Sequence, residues 1–272
     1  MSVDKSSVLK KLRESDAIYV LMSDCTRMPF VVCDPETYDD EVFVFFSEED
    51  AMRGGQEFLK ANNPLKIFNI EKKYLLPFYS SLFPIGVNCM VIGKGTEEEI
   101  AIQLGELVRR PEQKPGEEPI ENPELQITAM YFMQKVRSQK ELKLTDETKE
   151  LQEELMAHYQ RGRYITAISE DKKMPILNKD DGQVLMPIFT DVQEFLKFQN
   201  ENRDMKYTMG VVEAARIPEA MGPEVTGVVV NPFGIDLQLN VSRPQKSYRI
   251  IQKNRSSVYL QMTGLADMIK AR

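Results

Sequence analysis

Apolar residues in this chain of 272 fall into short runs, and several of the runs come in pairs. Met28-Pro29-Phe30-Val31-Val32 precedes Val42-Phe43-Val44-Phe45-Phe46-Ser47, and Met174-Pro175-Ile176-Leu177 precedes Val184-Leu185-Met186-Pro187-Ile188-Phe189-Thr190. Each pair predicts two strands and a turn, ending in phenylalanine plus a hydroxyl residue suited to cap a helix. Ser47 leads into EEDAMRGGQEFLKANN and Thr190 into DVQEFLKFQNEN. Both stretches carry carboxylates in the first turn, where the helix dipole favours them, although Gly54 and Gly55 weaken the first helix. Gly86 to Gly93 and Gly227 to Gly234 enclose a further pair of short, wholly apolar strands of the kind buried in mid-sheet.

Helices are predicted around these repeats. Thr96 with Glu97, Glu98 and Glu99 predicts a helix running to Arg109-Arg110. Thr145-Asp146 opens TKELQEELMAHYQR, which Gly162 stops, and Ile127 to Lys140 reads as a helix apolar enough to dock on a core. Between the repeats, Pro111, Pro115, Pro119 and Pro123 recur every fourth residue among five glutamates, a composition that favours an extended charged linker. The expected fold is α+β: two repeated units, each a mainly antiparallel sheet with flanking helices. They are a first domain over 1–110, a linker and helical connector over 111–145, and a second domain over 146–272.

Charge narrows the classes of partner. With 35 basic and 42 acidic residues the net charge is −7, so nucleic acid is not an expected ligand. No apolar run approaches the roughly 20 residues of a membrane helix, and the amphipathic start MSVDKSSVLKKLRESD lacks a signal-peptide core, which together predict a cytoplasmic protein without a membrane segment. Cys25, Cys33 and Cys89 form no CxxC pair and read as buried thiols in a reducing compartment.

Catalytic and metal motifs resolve into ordinary structure. Gly93-Lys94-Gly95-Thr96 resembles a phosphate loop but lacks the GxxxxGK[ST] spacing, and three glutamates follow it. Ser7-Val8-Leu9-Lys10 has the S-x-x-K form without its partner motifs. His158, the only histidine, lies near Arg161 and Arg163 at a helix end, where a cation suits the dipole. Asp39-Asp40-Glu41 and Asp180-Asp181-Gly182 read as hairpin turns rather than calcium loops. No cofactor and no metal are therefore expected.

Two features read as binding surfaces. Arg243, Lys246, Arg249, Lys253 and Arg255 form a basic run without an acidic residue inside it, suited to an acidic partner, nucleic acid, the chain's own acidic linker or a charged edge strand. Asn231-Pro232-Phe233-Gly234 predicts a tight turn that presents Phe233 at a strand end.

Met186-Pro187-Ile188-Phe189-Thr190-Asp191 followed by Val228-Val229-Val230-Asn231-Pro232-Phe233-Gly234 resembles the N-terminal domain of the SseB (enhanced serine sensitivity protein B) family. The resemblance spans Arg163 to Asn240 and, more weakly, Ala17 to Gly93, where the proline and the Asn-Pro pair are missing. It implies tandem small α+β domains in a cytoplasmic bacterial protein and supplies no catalytic residues. The resulting expectation is a non-enzymatic adaptor or regulatory protein that binds a protein partner or small ligand. The rival is an enzyme with a site between the domains built from groups such as Arg163, Tyr164, Asp191 and Arg216. Self-assembly through exposed sheet edges or through the Met-rich helix near Tyr131 is a third expectation.

Overall fold

The computed structural model describes residues 3–139, 145–241 and, for the backbone, 258–259. The chain divides into two compact units, residues 1–118 with 126–148 and residues 119–125 with 149–272.

In the first unit helix α1 (Lys5–Glu14) is followed by strands β1 (Ala17–Ser23), β2 (Val31–Cys33) and β3 (Asp40–Phe45) and helix α2 (Glu48–Lys60). Next come β4 (Leu65–Glu71), a 3₁₀ turn at Lys72–Tyr74, α3 (Leu75–Leu82), β5 (Cys89–Ile92), β6 (Ile100–Gln103), α4 (Leu104–Leu107) and, after the proline-rich segment, α5 (Pro123–Arg137). The sheet order is β4-β1-β3-β5-β6 with β2 paired to β3, and β3 with β5 is its parallel pair.

The second unit repeats this order with α6 (Asp146–Arg161), β7 (Arg163–Ser169), β8 (Leu177–Asn178), β9 (Val184–Phe189) and α7 (Val192–Glu201). It continues with β10 (Tyr207–Glu213), a 3₁₀ turn at Ala214–Arg216, α8 (Ile217–Ala220), β11 (Gly227–Val230), β12 (Leu237–Val241) and β13 (Val258–Tyr259). Its sheet runs β10-β7-β9-β11-β12-β13 with β8 on β9, and β9 with β11 is parallel. Both sheets are thus mainly antiparallel, each with one parallel pair at its centre.

The register proves the duplication. Val44 faces Ile92, and Ile188 faces Val230. The next residues, Gly93 and Asn231, donate their amides to the Val44 and Ile188 carbonyls, each at 2.9 Å. The likeness extends through the region where the sequences diverge. Lys72 donates its amide to the Asp16 carbonyl at 2.7 Å, and Ala214 to that of Gly162 at 3.0 Å.

One core layer of each unit forms where α2 or α7 covers its sheet. Leu21, Phe30, Phe43, Phe45, Ala51 and Val91 pack together in the first unit, and Ile165, Ala167, Phe189, Phe195 and Phe198 in the second. Gly54 does not break α2, because a side chain there would strike the Phe45 ring; glycine is what lets this helix sit close on β3.

Four local expectations are corrected. Thr96 to Arg110 is not one helix: Ile100 and Ile102 alternate with Ala101 and Gln103, pair with β5 as strand β6, and leave only the short α4. Glu99 serves the turn instead, accepting from the Gly95 amide at 2.7 Å and from Lys94 at 3.2 Å. The two glycine pairs are not equivalent either, since Gly86 lies in a turn at φ 90° while the register matches Gly227 with Cys89. Asp40 and Glu41 belong to β3 rather than to a turn, and Cys33, at the end of the short β2, is exposed rather than buried. Among the described residues no helix is long and apolar enough to cross a membrane.

Candidate functional site

The chain turns after β11 at Asn231, whose φ of 51° lies in the left-handed region that asparagine tolerates. Gly93 holds the matching position in the first unit at φ 66°. Asn231 is fully buried, and its side-chain amide clasps Thr190. The Oδ1 atom accepts from the Thr190 amide at 3.0 Å, and Nδ2 donates to the Thr190 hydroxyl at 2.8 Å. That hydroxyl donates in turn to Asp191 Oδ2 at 2.8 Å, while Asp191 Oδ1 accepts from the amides of Gln193 and Glu194 and so caps α7. The cap is therefore Asp191 rather than Thr190, because the threonine hydroxyl is drawn into the pair with Asn231. Of the predicted tip, Pro232 is partly buried, and Phe233 is half exposed with its ring centroid 6.0 Å from that of Phe198.

Glu194 lies beneath this turn, and a side chain at Gly234 would run into its Oε2. The residue is almost wholly buried; its Oε1 meets Lys197 at 2.5 Å, while Oε2 has no hydrogen-bond partner. Burial raises its carboxyl above the usual range, and Lys197 pulls against that shift.

The other nominated residues are dispersed. Arg243, Lys246, Arg249, Lys253 and Arg255 lie outside the described residues. Tyr164 is buried and donates its hydroxyl to the Tyr159 carbonyl at 2.9 Å; Asp191 serves as the cap; Arg216 is exposed and pairs loosely with Glu219 at 3.8 Å. Arg163 borders a cavity of about 310 Å³ in the second unit, with His158, Arg161, Glu121 and Glu124 also on its wall. The imidazole of His158 lies 3.2 Å from Glu124 through Nδ1 and 3.3 Å from Glu154 through Nε2, in the last turn of α6. Asn122 closes one side, donating to the carbonyls of Arg163 and Thr190 at 2.8 and 2.9 Å. Among the described residues no group of three or more histidine, cysteine or acidic side chains is arranged to hold a metal ion.

A different surface emerges at the edge of the second sheet, which the sequence reading missed. Strand β10 pairs with β7 along all seven residues and ends the sheet on its other side. Alternate residues of a strand share a face, so Tyr207, Met209 and Val211 lie together, and the Tyr207 ring packs on Phe198 of α7. Val211 stands opposite Ile165 and Met209 opposite Ala167. Ile165 and Ala167 are buried under α7, whereas Val211 and Met209 are 55% and 53% exposed. The apolar layer of the core therefore continues uncovered onto an open edge.

The corresponding edge of the first unit, β4, exposes less apolar surface on this face. By register Met209 corresponds to Ile67 and Val211 to Asn69. Ile67, like Phe58 of α2, packs against the core cluster, and α2 is three residues longer than α7, 13 against 10. Edge strand β4 also carries Lys66 and Asn69, polar groups that discourage strand addition. From Tyr207 to Val212, β10 contains no charge at all. The legible signal was this neutral alternating run, Tyr-Thr-Met-Gly-Val-Val, hidden where the repeats diverge.

No protein-family model matches the chain, and a search of curated proteins found no match. Among solved structures the chain is similar to Tic22 from Plasmodium falciparum, at 16% identity and a TM-score of 0.22 over 82% of this chain and 90% of that one. It is also similar to Anabaena Tic22 (protein transport), at 11% identity and a TM-score of 0.21 over 84% of this chain and 92% of that one. The functional reading rests on the chain's own residues.

Proposed function

We propose that the chain is a non-enzymatic adaptor or regulatory protein, one of tandem SseB-like domains over 1–110 and 146–272, and that its second domain takes up a partner's extended segment at the edge strand β10. The observation that carries this reading is the exposure of Met209 and Val211 where they continue the core layer of Ile165 and Ala167. A strand added there gains main-chain hydrogen bonds along β10 and covers both side chains, the mode of recognition known as strand addition. Arg243, Lys246, Arg249, Lys253 and Arg255 then supply an electrostatic contact with an acidic partner, and Phe233 an apolar one.

The test is capture of proteins from cytoplasmic extract on immobilised full-length chain, with Val211→Lys and the triple variant Arg249→Glu, Lys253→Glu, Arg255→Glu alongside. Retention that Val211→Lys abolishes, with slowed hydrogen exchange of β10 amides when the captured protein is added back, is the expected result. Retention indifferent to Val211→Lys removes the edge from the reading, and indifference to the triple variant removes the basic run.

A further inference from the structure

We infer that the strand received by β10 is β10 of a second copy of this chain, so that two second units join into one continuous sheet about a two-fold axis at Gly210. The inference rests on the edge reading above and names its partner.

Charge supplies the first argument. Strand β10 is neutral from Tyr207 to Val212, with Lys206 just before it and Glu213 as its last residue. An antiparallel copy sets the Lys206 end of one strand beside the Glu213 end of the other, whereas a parallel copy would bring like ends together.

Register supplies the second. With Gly210 facing Gly210 across the axis, Met209 of one copy lies opposite Val211 of the other, and the reverse pair follows by symmetry. Both half-exposed apolar side chains are covered in one step, on the same face. Tyr207 falls opposite Glu213, a pairing without charge conflict. The central pair demands little space, and Gly210 is fixed as glycine from within its own sheet, since a side chain there would meet Ile168 and Thr166.

Among the described residues nothing protects this edge. Strand β10 has no proline and, before Glu213, no charge, whereas β4 of the first unit carries Lys66, which pairs with Asp24 at 2.8 Å. A two-fold contact of β10 with itself uses that edge completely, so this pairing joins two copies and does not propagate into a filament.

Sedimentation equilibrium of the full-length chain from about 1 to 100 μM tests the inference. The mass is expected to rise with concentration toward twice the 31.3 kDa of one chain. Val211→Lys, which spoils two cross-strand pairs per dimer, is expected to raise the dissociation constant about ten-fold or more, while Val211→Thr keeps a β-branched side chain and Phe68→Lys on β4 leaves it unchanged. Far-UV circular dichroism confirms that each variant is folded. A chain that stays monomeric at the highest concentration overturns self-pairing, as does a dimer unaffected by Val211→Lys. A monomer whose capture of extract proteins is still abolished by Val211→Lys keeps the edge reading and sinks only the second copy. A monomer that captures nothing sinks both.

Discussion

Asn231 and Thr190 are joined by two buried hydrogen bonds, at 3.0 Å from the threonine amide and 2.8 Å to its hydroxyl. Through this pair the end of β11 is tied to the end of β9 and to the Asp191 cap of α7. A residue predicted to face a ligand is thereby committed to holding the unit together.

Asn231→Ala is accordingly expected to destabilise the second unit by about 2 to 4 kcal/mol, from an orphaned Thr190 amide and a left-handed alanine. Asn231→Gly removes the same hydrogen bonds without the backbone cost and should recover about 1 kcal/mol of that loss. Urea unfolding of the three proteins separates the contributions. Equal midpoints for Asn231→Ala and the parent chain would show that the clasp carries no stability.

Glu194 gives a pH signature. Burial raises its carboxyl in the folded chain above the ordinary value of 4.5, so the native state binds the proton more tightly than the unfolded state. Stability from this group is full below the unfolded pKa and declines as pH rises through the folded one. Glu194→Gln, which cannot ionise, is expected to flatten the fall of the urea midpoint as pH rises above 4.5. An unchanged slope would mean that Lys197 compensates the buried charge completely.

Much of the fold was readable because short apolar runs and capped helices leave strong marks: Val42 to Phe45 and Leu185 to Phe189 are buried strands where the pattern put them. Where two readings of the same letters competed, local propensity lost to pairing. Glu97 to Glu99 look like a first helical turn, but Ile100 and Ile102 gain more by joining β5. The site was harder to read. Asn231, Pro232 and Phe233 carry turn chemistry, and only tertiary packing decides that the asparagine amide turns inward. Strand β10 went unseen because its meaning lies in what α7 fails to cover, a length difference between two helices that no single stretch of sequence displays.

Four tyrosines set the alkaline limit. Burial raises the phenols of Tyr79, Tyr131, Tyr159 and Tyr164; for Tyr131 the hydrogen bond it donates to Asp40 at 2.6 Å adds to the effect, and for Tyr164 the neighbouring Tyr159 does. Unfolding releases them to the ordinary phenol range, so the stability they contribute is present below about pH 10 and is lost as pH rises beyond it. Tyrosinate absorbance is expected to rise in two stages, the second coinciding with loss of circular dichroism. Tyr131→Phe should cost about 1.5 to 3 kcal/mol near neutral pH, the worth of a hydrogen bond to a charged group.

The thiols differ in the same terms. Burial pushes Cys89 up to about 12, and Cys25 is buried as well. Cys33 is exposed, but partial burial and then the carboxylates of Asp40, Asp34, Glu41 and Asp39 raise its thiol too. Because the thiolate is the reacting species, an aromatic disulfide reagent is expected to label the native protein at Cys33 alone, slowly, and faster as pH rises. Asp40→Asn keeps an acceptor for Tyr131 but removes the carboxylate that raises this thiol most, and should speed labelling about two- to five-fold. Cys33→Ser should abolish it. Rapid modification of a second thiol in folded protein would show that the sheet holding Cys89 opens far more readily than its burial implies.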